Sequence, residues 1–248
     1  VEFPIGLPLG PIEVPAHPIF EALGILLAFK LFERLRARRG DSLDEKGRWV
    51  SFAGAALGAL IGSRLVAALE RPDLFLDPPS WLFYVSGQSV AGAIAGGIVG
   101  AEIAKWLIGE KRRTGDLFVY PLIMGIAVGR IGCFLTGVAD DTAGLPSSLP
   151  WAMDQGDGVA RHPTAIYEII FVGLLALGLR AAEKTGRLRE GDLFRIFCVG
   201  YFSWRFFVEF LKPIEPLALG LSSIQIVSAI VALGYGWGLA RGRRSAVR

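Results

Sequence analysis

A chain of 248 residues that is 52% hydrophobic, carries 32 glycines and has a mean hydropathy of +0.49 is too apolar for an ordinary soluble domain, and reads as one membrane domain over 1–248. Its net charge of +3 comes from basic residues in short clusters between apolar runs, a pattern explained by membrane orientation rather than by nucleic-acid binding. Cys133 and Cys198 are the only cysteines and each sits inside an apolar run, so neither a disulfide framework nor a metal cluster is indicated.

A helix that crosses a hydrocarbon core about 30 Å thick needs about 20 mostly apolar residues. Seven windows qualify, at approximately 17–34, 49–69, 88–108, 117–137, 163–182, 193–211 and 221–240. The expected fold is therefore all-α, a polytopic bundle of seven transmembrane helices. The first run has no basic segment before it and no small-residue cleavage site after it, so it reads as a retained span. Lysine and arginine crowd alternate loops: Arg34 to Arg48, Lys105 to Arg113, Arg180 to Arg195 and Arg241 to Arg248. The loops between hold only Arg71, Arg161 and Lys212. By the positive-inside rule the crowded side is cytoplasmic, which puts Val1 outside and Arg248 inside.

The outer segments, about 70–87 and 138–162, are rich in Pro, Gly, Asp and aromatic residues, including Trp81, Phe83, Tyr84 and Trp151, and suit an interfacial cap of loops. Gly54, Gly58 and Gly62 in the second span and Gly92, Gly96 and Gly100 in the third recur at helical spacing, so these two spans are expected to pack closely.

Charges inside apolar runs are costly and mark function. Arg64, Arg130 and Arg205 lie in the second, fourth and sixth spans, at similar depth in the outer halves of their helices, where they are expected to share one anion. A guanidinium donates two parallel hydrogen bonds to a phosphate and keeps its charge, which fits a lipid phosphodiester. Glu209, four residues after Arg205, shares its helical face and neutralises part of that charge. RHPTAIYE, from Arg161 to Glu168, brings together His162, Tyr167 and Glu168, with His162 the candidate for proton transfer. Asp140 and Asp141 in the loop before it are candidate bases or charge partners, or solvated turn residues. His17 and Gln225 are polar residues near outer helix ends, as binding groups or as caps. Cys133, three residues after Arg130, has no activating neighbour visible in the sequence and reads as a small packing residue.

GRIGCFLTG (129–137), RHPTAIYE (161–168) and YFSWRFFVEF followed by GLSSIQIVS (201–228) together resemble the prolipoprotein diacylglyceryl transferases of bacterial inner membranes in order, spacing and topology. The resemblance covers most of the chain. It implies seven spans, phosphatidylglycerol as donor, transfer of its diacylglyceryl group to a cysteine thiol of a secreted preprotein, release of glycerol phosphate, and no metal or other cofactor. By motif position, Arg130 matches the essential arginine of the family signature and Arg205 the second, with Tyr201 and Glu209 beside it. His162, Tyr167 and Glu168 match the family's HPSQLYE motif, and Gly144 matches the glycine after the signature. The chain also departs from the pattern. GQSVAGA stands where the family has GMSFHGG, so Ala91 takes the place of the proposed base. Cys133 and Thr136 replace the two asparagines of GRIGNFING, Val138 or Ala139 replaces the following Glu, and Ala165 replaces the Gln of HPSQLYE.

The expected activity is thus phospholipid-dependent group transfer at the outer face to a lipoprotein cysteine or another acceptor, with Arg130 and Arg205 gripping the phosphodiester, helped by Arg64. Tyr167, Glu168, Tyr201, Glu209, Gly144 and Gln225 line the substrate, and His162 or a loop aspartate takes the acceptor's proton. The alternative is a non-catalytic paralogue that binds or presents anionic phospholipid to a partner. A channel has little support, since no span shows a polar stripe lining a water path.

Overall fold

A computed structural model of the chain describes residues 3–9, 12–71, 88–139, 143–213 and 216–244. Within them run seven α-helices: α1 (Ala16–Arg39), α2 (Glu45–Glu70), α3 (Val90–Leu107), α4 (Val119–Thr136), α5 (Thr164–Lys184), α6 (Asp192–Val208) and α7 (Ser223–Arg244). Each falls on one of the seven apolar windows. Five stretches are long and apolar enough to cross a membrane: Glu45–Glu70, Val90–Leu107, Gly115–Ala139, Thr164–Lys184 and Ser223–Arg241. The other two helices fall short by that measure for visible reasons. Charges such as Glu21, Lys30 and Glu33 interrupt α1, and α6 is only 17 residues before a 3-10 turn over Glu209–Leu211 extends it.

The outward faces are apolar. Leu57, Leu60, Ile61 and Leu65 of α2, Leu174 and Leu177 of α5, and Ile230 and Leu233 of α7 are all exposed. Such rows suit lipid rather than water, and in lipid a helix satisfies its own backbone polar groups. The chain is a polytopic all-α membrane protein. Trp49, Trp106 and Trp237 are exposed near the basic ends of their helices, with Arg241 stacked 4.8 Å over the Trp237 ring, as suits anchors at a membrane interface. Two small hairpins were not foreseen: Gly6–Leu9 pairs antiparallel with Ile12–Pro15, and Met153–Asp154 with Ala160–Arg161.

The chain divides into two compact units. The first holds α1, α4, α5 and the start of α6. Here α1 packs on α4 through small residues: a Cβ at Gly24 would sit 3.0 Å from the Gly125 carbonyl oxygen, and one at Gly132 would sit 3.1 Å from His17 Cα. Glu183 of α5 accepts from Arg39 of α1 (2.7 Å) and from the Tyr120 hydroxyl of α4, tying the three basic ends together. Asp116 takes the backbone N–H groups of Gly191 (2.7 Å) and Phe194 (2.9 Å), which caps the start of α6.

The second unit holds α2, α3, the rest of α6 and α7. The glycine rows meet as expected. A Cβ at Gly54, Gly58 or Gly62 would come closer than 3.0 Å to the carbonyl oxygen of Gly100, Gly96 or Gly92 respectively, so the backbones of α2 and α3 touch. Ser89 caps α3, accepting from Gly92 N–H at 3.2 Å, while its own N–H donates to Ser63 of α2. Arg48 and Lys105, read as loop cations, are instead buried: Arg48 forks onto Asp41, and Lys105 reaches Glu102 at 2.7 Å and the Arg112 carbonyl at 3.2 Å. A buried cation without such partners would be unaffordable, and here neighbours one or two turns away supply them.

At the start of α7, Ser222 accepts from Gln225 N–H (3.2 Å) while the Gln225 carboxamide oxygen accepts from Ser222 N–H (3.0 Å), a reciprocal capping box. Glu70, at the end of α2, accepts from Ser223 Oγ (2.6 Å) and Ile224 N–H (3.1 Å). Ser222→Ala is expected to lower stability by about 1 kcal/mol, seen as a reduced melting temperature in detergent.

Candidate functional site

The first unit gathers the site residues of α4, α5 and the loop between them. Arg130 sits on α4, two turns before its C-terminal end, and is buried. Glu168 lies one turn into α5 and is only 2% exposed. Arg130 Nε is 2.9 Å from Glu168 Oε2. Arg130 Nη1 also donates to Cys133 Sγ, one turn on along the same face, at 3.5 Å. A guanidinium taken out of water needs a carboxylate, and removing one member of such a pair costs about 3–5 kcal/mol. Its five N–H donors lie in one planar fork, the geometry that meets an oxyanion at two oxygens.

His162 ends the loop just before α5. Its N–H donates to the Leu145 carbonyl (3.1 Å), and its own carbonyl accepts from Thr164 N–H (2.9 Å). Its Nδ1 lies 3.2 Å from the Tyr167 hydroxyl, the two rings meeting edge-on. Trp151 Nε1 donates to the same hydroxyl at 2.7 Å. Pro163 occupies the cap position immediately before α5. Gly144 lies against His162: a Cβ there would sit 2.6 Å from His162 Cβ and closer still to its carbonyl oxygen. Gly144→Ala is therefore expected to push the His162 backbone out of register and cost about 1–3 kcal/mol. Its check is a melting curve beside a turnover measurement, with turnover reduced about tenfold.

Arg161 frames this corner. It bonds Asp157 through Nε (2.9 Å) and Nη2 (2.5 Å), and Nη1 donates to the Gly144 carbonyl at 3.3 Å. The hydrogen bonds from Arg161 hold the Asp157 carboxyl below the usual carboxylate range, and the same bonds push the Arg161 guanidinium up. Asp140 and Asp141 lie outside the described residues, as do Trp81, Phe83 and Tyr84.

In the second unit Arg205 is 2% exposed and its Nη2 donates to Glu209 Oε2 at 2.9 Å, the i,i+4 pair expected on one helical face. Tyr201, one turn earlier, is fully buried, with its ring edge-on to Phe202. Gln225 is fully buried, and besides the capping box its Nε2 donates to the Phe206 carbonyl at 3.3 Å. Its polar ends are thus used by backbone partners. Arg64 is half-buried on α2, and Ala91, near the start of α3, is fully buried. His17 belongs to the first unit, half-buried against Gly132.

Sequence reasoning paired Arg205 with Glu209 but did not pair Arg130 with Glu168, and it took Trp151 for an interfacial aromatic. Both contacts join residues far apart along the chain, for which helical spacing offers no signal.

Comparison with known proteins agrees with the motifs. A family model described as prolipoprotein diacylglyceryl transferase matches residues 4–240. The phosphatidylglycerol–prolipoprotein diacylglyceryl transferase of Bordetella parapertussis is 30% identical, over 93% of this chain and 91% of its own. That of Azoarcus is 32% identical over 90% and 88%, and that of Idiomarina loihiensis 35% identical over 87% and 81%.

Proposed function

The chain belongs to the prolipoprotein diacylglyceryl transferase family, and from that membership we propose that it moves the diacylglyceryl group of phosphatidylglycerol onto a lipoprotein cysteine. The reaction takes place at the outer face of a bacterial inner membrane, with the N-terminus outside and the C-terminus inside. The observation that carries this reading is the buried pair of Arg130 with Glu168, from two of the three motifs that carry the resemblance to the family. In the reaction the acceptor sulfur attacks the glyceryl carbon that bears the phosphate. The S–C bond forms as the C–O bond breaks, the electron pair leaves with the phosphate, and the thiol proton ends on the released glycerol phosphate. Charge builds on the leaving phosphate, and a guanidinium fixed in a site away from bulk water stabilises it there. Glu168 orients Arg130 and offsets its desolvation. Tyr167 and His162 stand at the head of α5 as partners for the polar head group. For Arg64, Arg205, Tyr201, Glu209 and Gln225, and for Asp140 and Asp141, a part in the same reaction rests on motif position and sequence.

The purified protein in phosphatidylglycerol vesicles tests the reading. Glycerol phosphate should appear only when a cysteine-bearing peptide acceptor is added, and the protein should rescue a strain depleted of its own transferase. One observation favours a second reading, the binding and presentation of anionic phospholipid without turnover: Ala91, where the family motif has a histidine, is a fully buried methyl group. Stoichiometric lipid binding with no glycerol phosphate, whatever the acceptor, would decide for that reading.

A further inference from the structure

A guanidinium only donates hydrogen bonds, so the contact of Arg130 Nη1 with Cys133 Sγ at 3.5 Å has one direction: the nitrogen gives and the sulfur accepts. Both residues sit on α4, three apart, and both are buried, Arg130 at 5% and Cys133 at 7% exposure. A hydrogen bond to sulfur counts for little in water. It counts for more where water is excluded and the local dielectric is low.

Glu168 and Cys133 meet different nitrogens of the same plane. Glu168 Oε2, on α5, stands 2.9 Å from Nε, while the sulfur takes Nη1 from α4 itself. A planar group met at one nitrogen can pivot about that contact, whereas one met at two keeps its orientation. Glu168 therefore offsets the charge, and Cys133 adds the second point of support. We propose that Cys133 is a positioning residue, whose sulfur fixes the plane of the Arg130 guanidinium in the orientation that meets a phosphate. No bond to this thiol forms or breaks during turnover. The hold on Arg130 stands on the two contacts, and its use against a lipid phosphate rests on the function proposed above.

Packing alone would ask only for a small side chain, so alanine and serine, close in size, separate the two roles. Cys133→Ala removes the acceptor and should lower kcat for glycerol phosphate release about 5- to 20-fold, the size expected of a misaligned group in the transition state, with little change in KM for lipid. Cys133→Ser keeps an oxygen acceptor at the same place, Cys133→Asn keeps one on a longer arm, and at least one of them should stay within about threefold of the parent kcat. Should Cys133→Ala accumulate poorly, Cys133→Val removes the same acceptor from a fuller side chain. Equal kcat in the alanine, serine and asparagine variants, whether high or low, would overturn the proposal. Nitrogen NMR of arginine-labelled protein in detergent reads the hold without any turnover, the Arg130 signals being those lost in Arg130→Lys. Slow rotation about the Nε–Cζ bond should keep the two Nη signals of Arg130 apart in the parent and let them merge in Cys133→Ala. Separate signals in both proteins would also overturn it. A parent with separate Nη signals that merge in Cys133→Ala, but with no glycerol phosphate release, would sink the transferase reading and leave the hold on Arg130 standing.

Discussion

Arg130→Lys is expected to lower acceptor-dependent glycerol phosphate release by about 100-fold or more, while the protein still elutes as a folded species in detergent. The size follows from what removal of one preorganised donor to a developing oxyanion costs, about 10²- to 10³-fold. Lysine keeps a positive charge beside Glu168, so the carboxylate is not left buried alone and the fold should survive. What disappears is the planar fork that meets a phosphate at two oxygens. Arg130→Gln is the poorer experiment, since it strands Glu168 and confounds chemistry with a stability loss of about 3–5 kcal/mol. Undiminished release by the lysine variant would remove Arg130 from the phosphate. Arg205→Lys in the same assay asks the same question of the second arginine.

Gly58→Leu is expected to prevent accumulation of folded protein, with a stability loss of about 3 kcal/mol or more. A Cβ at this position would meet the Gly96 carbonyl oxygen inside 3.0 Å and Gly100 Cα at 2.9 Å, and both are backbone atoms that no rotamer change can move aside. The helices would have to part along the whole row. Gly178→Leu on α5 is the control, since a Cβ there meets nothing within 4 Å. Size-exclusion profiles and melting curves of the two variants in one detergent give the comparison. Equal yields would mean that the α2–α3 packing is dispensable.

The helices were legible because a bilayer demands apolar runs of a set length: each of the seven windows carries a helix, five of them in stretches long and apolar enough to cross. The glycine rows were legible for a similar reason: residues four apart share a helical face, so Gly54, Gly58 and Gly62 announce a contact surface before any partner is known. Arg205 with Glu209 follows from the same spacing. Arg130 with Glu168 does not, because its members sit on different helices and only the packing of α4 on α5 brings them together. The hydroxyl shared by Trp151, His162 and Tyr167 depends on how a loop folds back over the head of α5, and a list of interfacial aromatics contains no hint of it. Arg48 and Lys105 show the opposite failure. They were counted among the basic residues of the loops, whereas Asp41 and Glu102 close by let each be buried. The hairpins at Gly6–Leu9 and Met153–Asp154 were hidden by brevity, with too few residues for an alternating pattern to stand out.

The touching backbones of α2 and α3 bear on how the two-tailed lipid of the proposed reaction would reach its site. Carbonyl oxygens of one helix rest against α-carbons of the other at Gly58, Gly62, Gly96 and Gly100, so no crevice wide enough for an acyl chain runs between them. A substrate arriving sideways from the bilayer must use a doorway along some other flank, and this pair of helices serves as fixed wall.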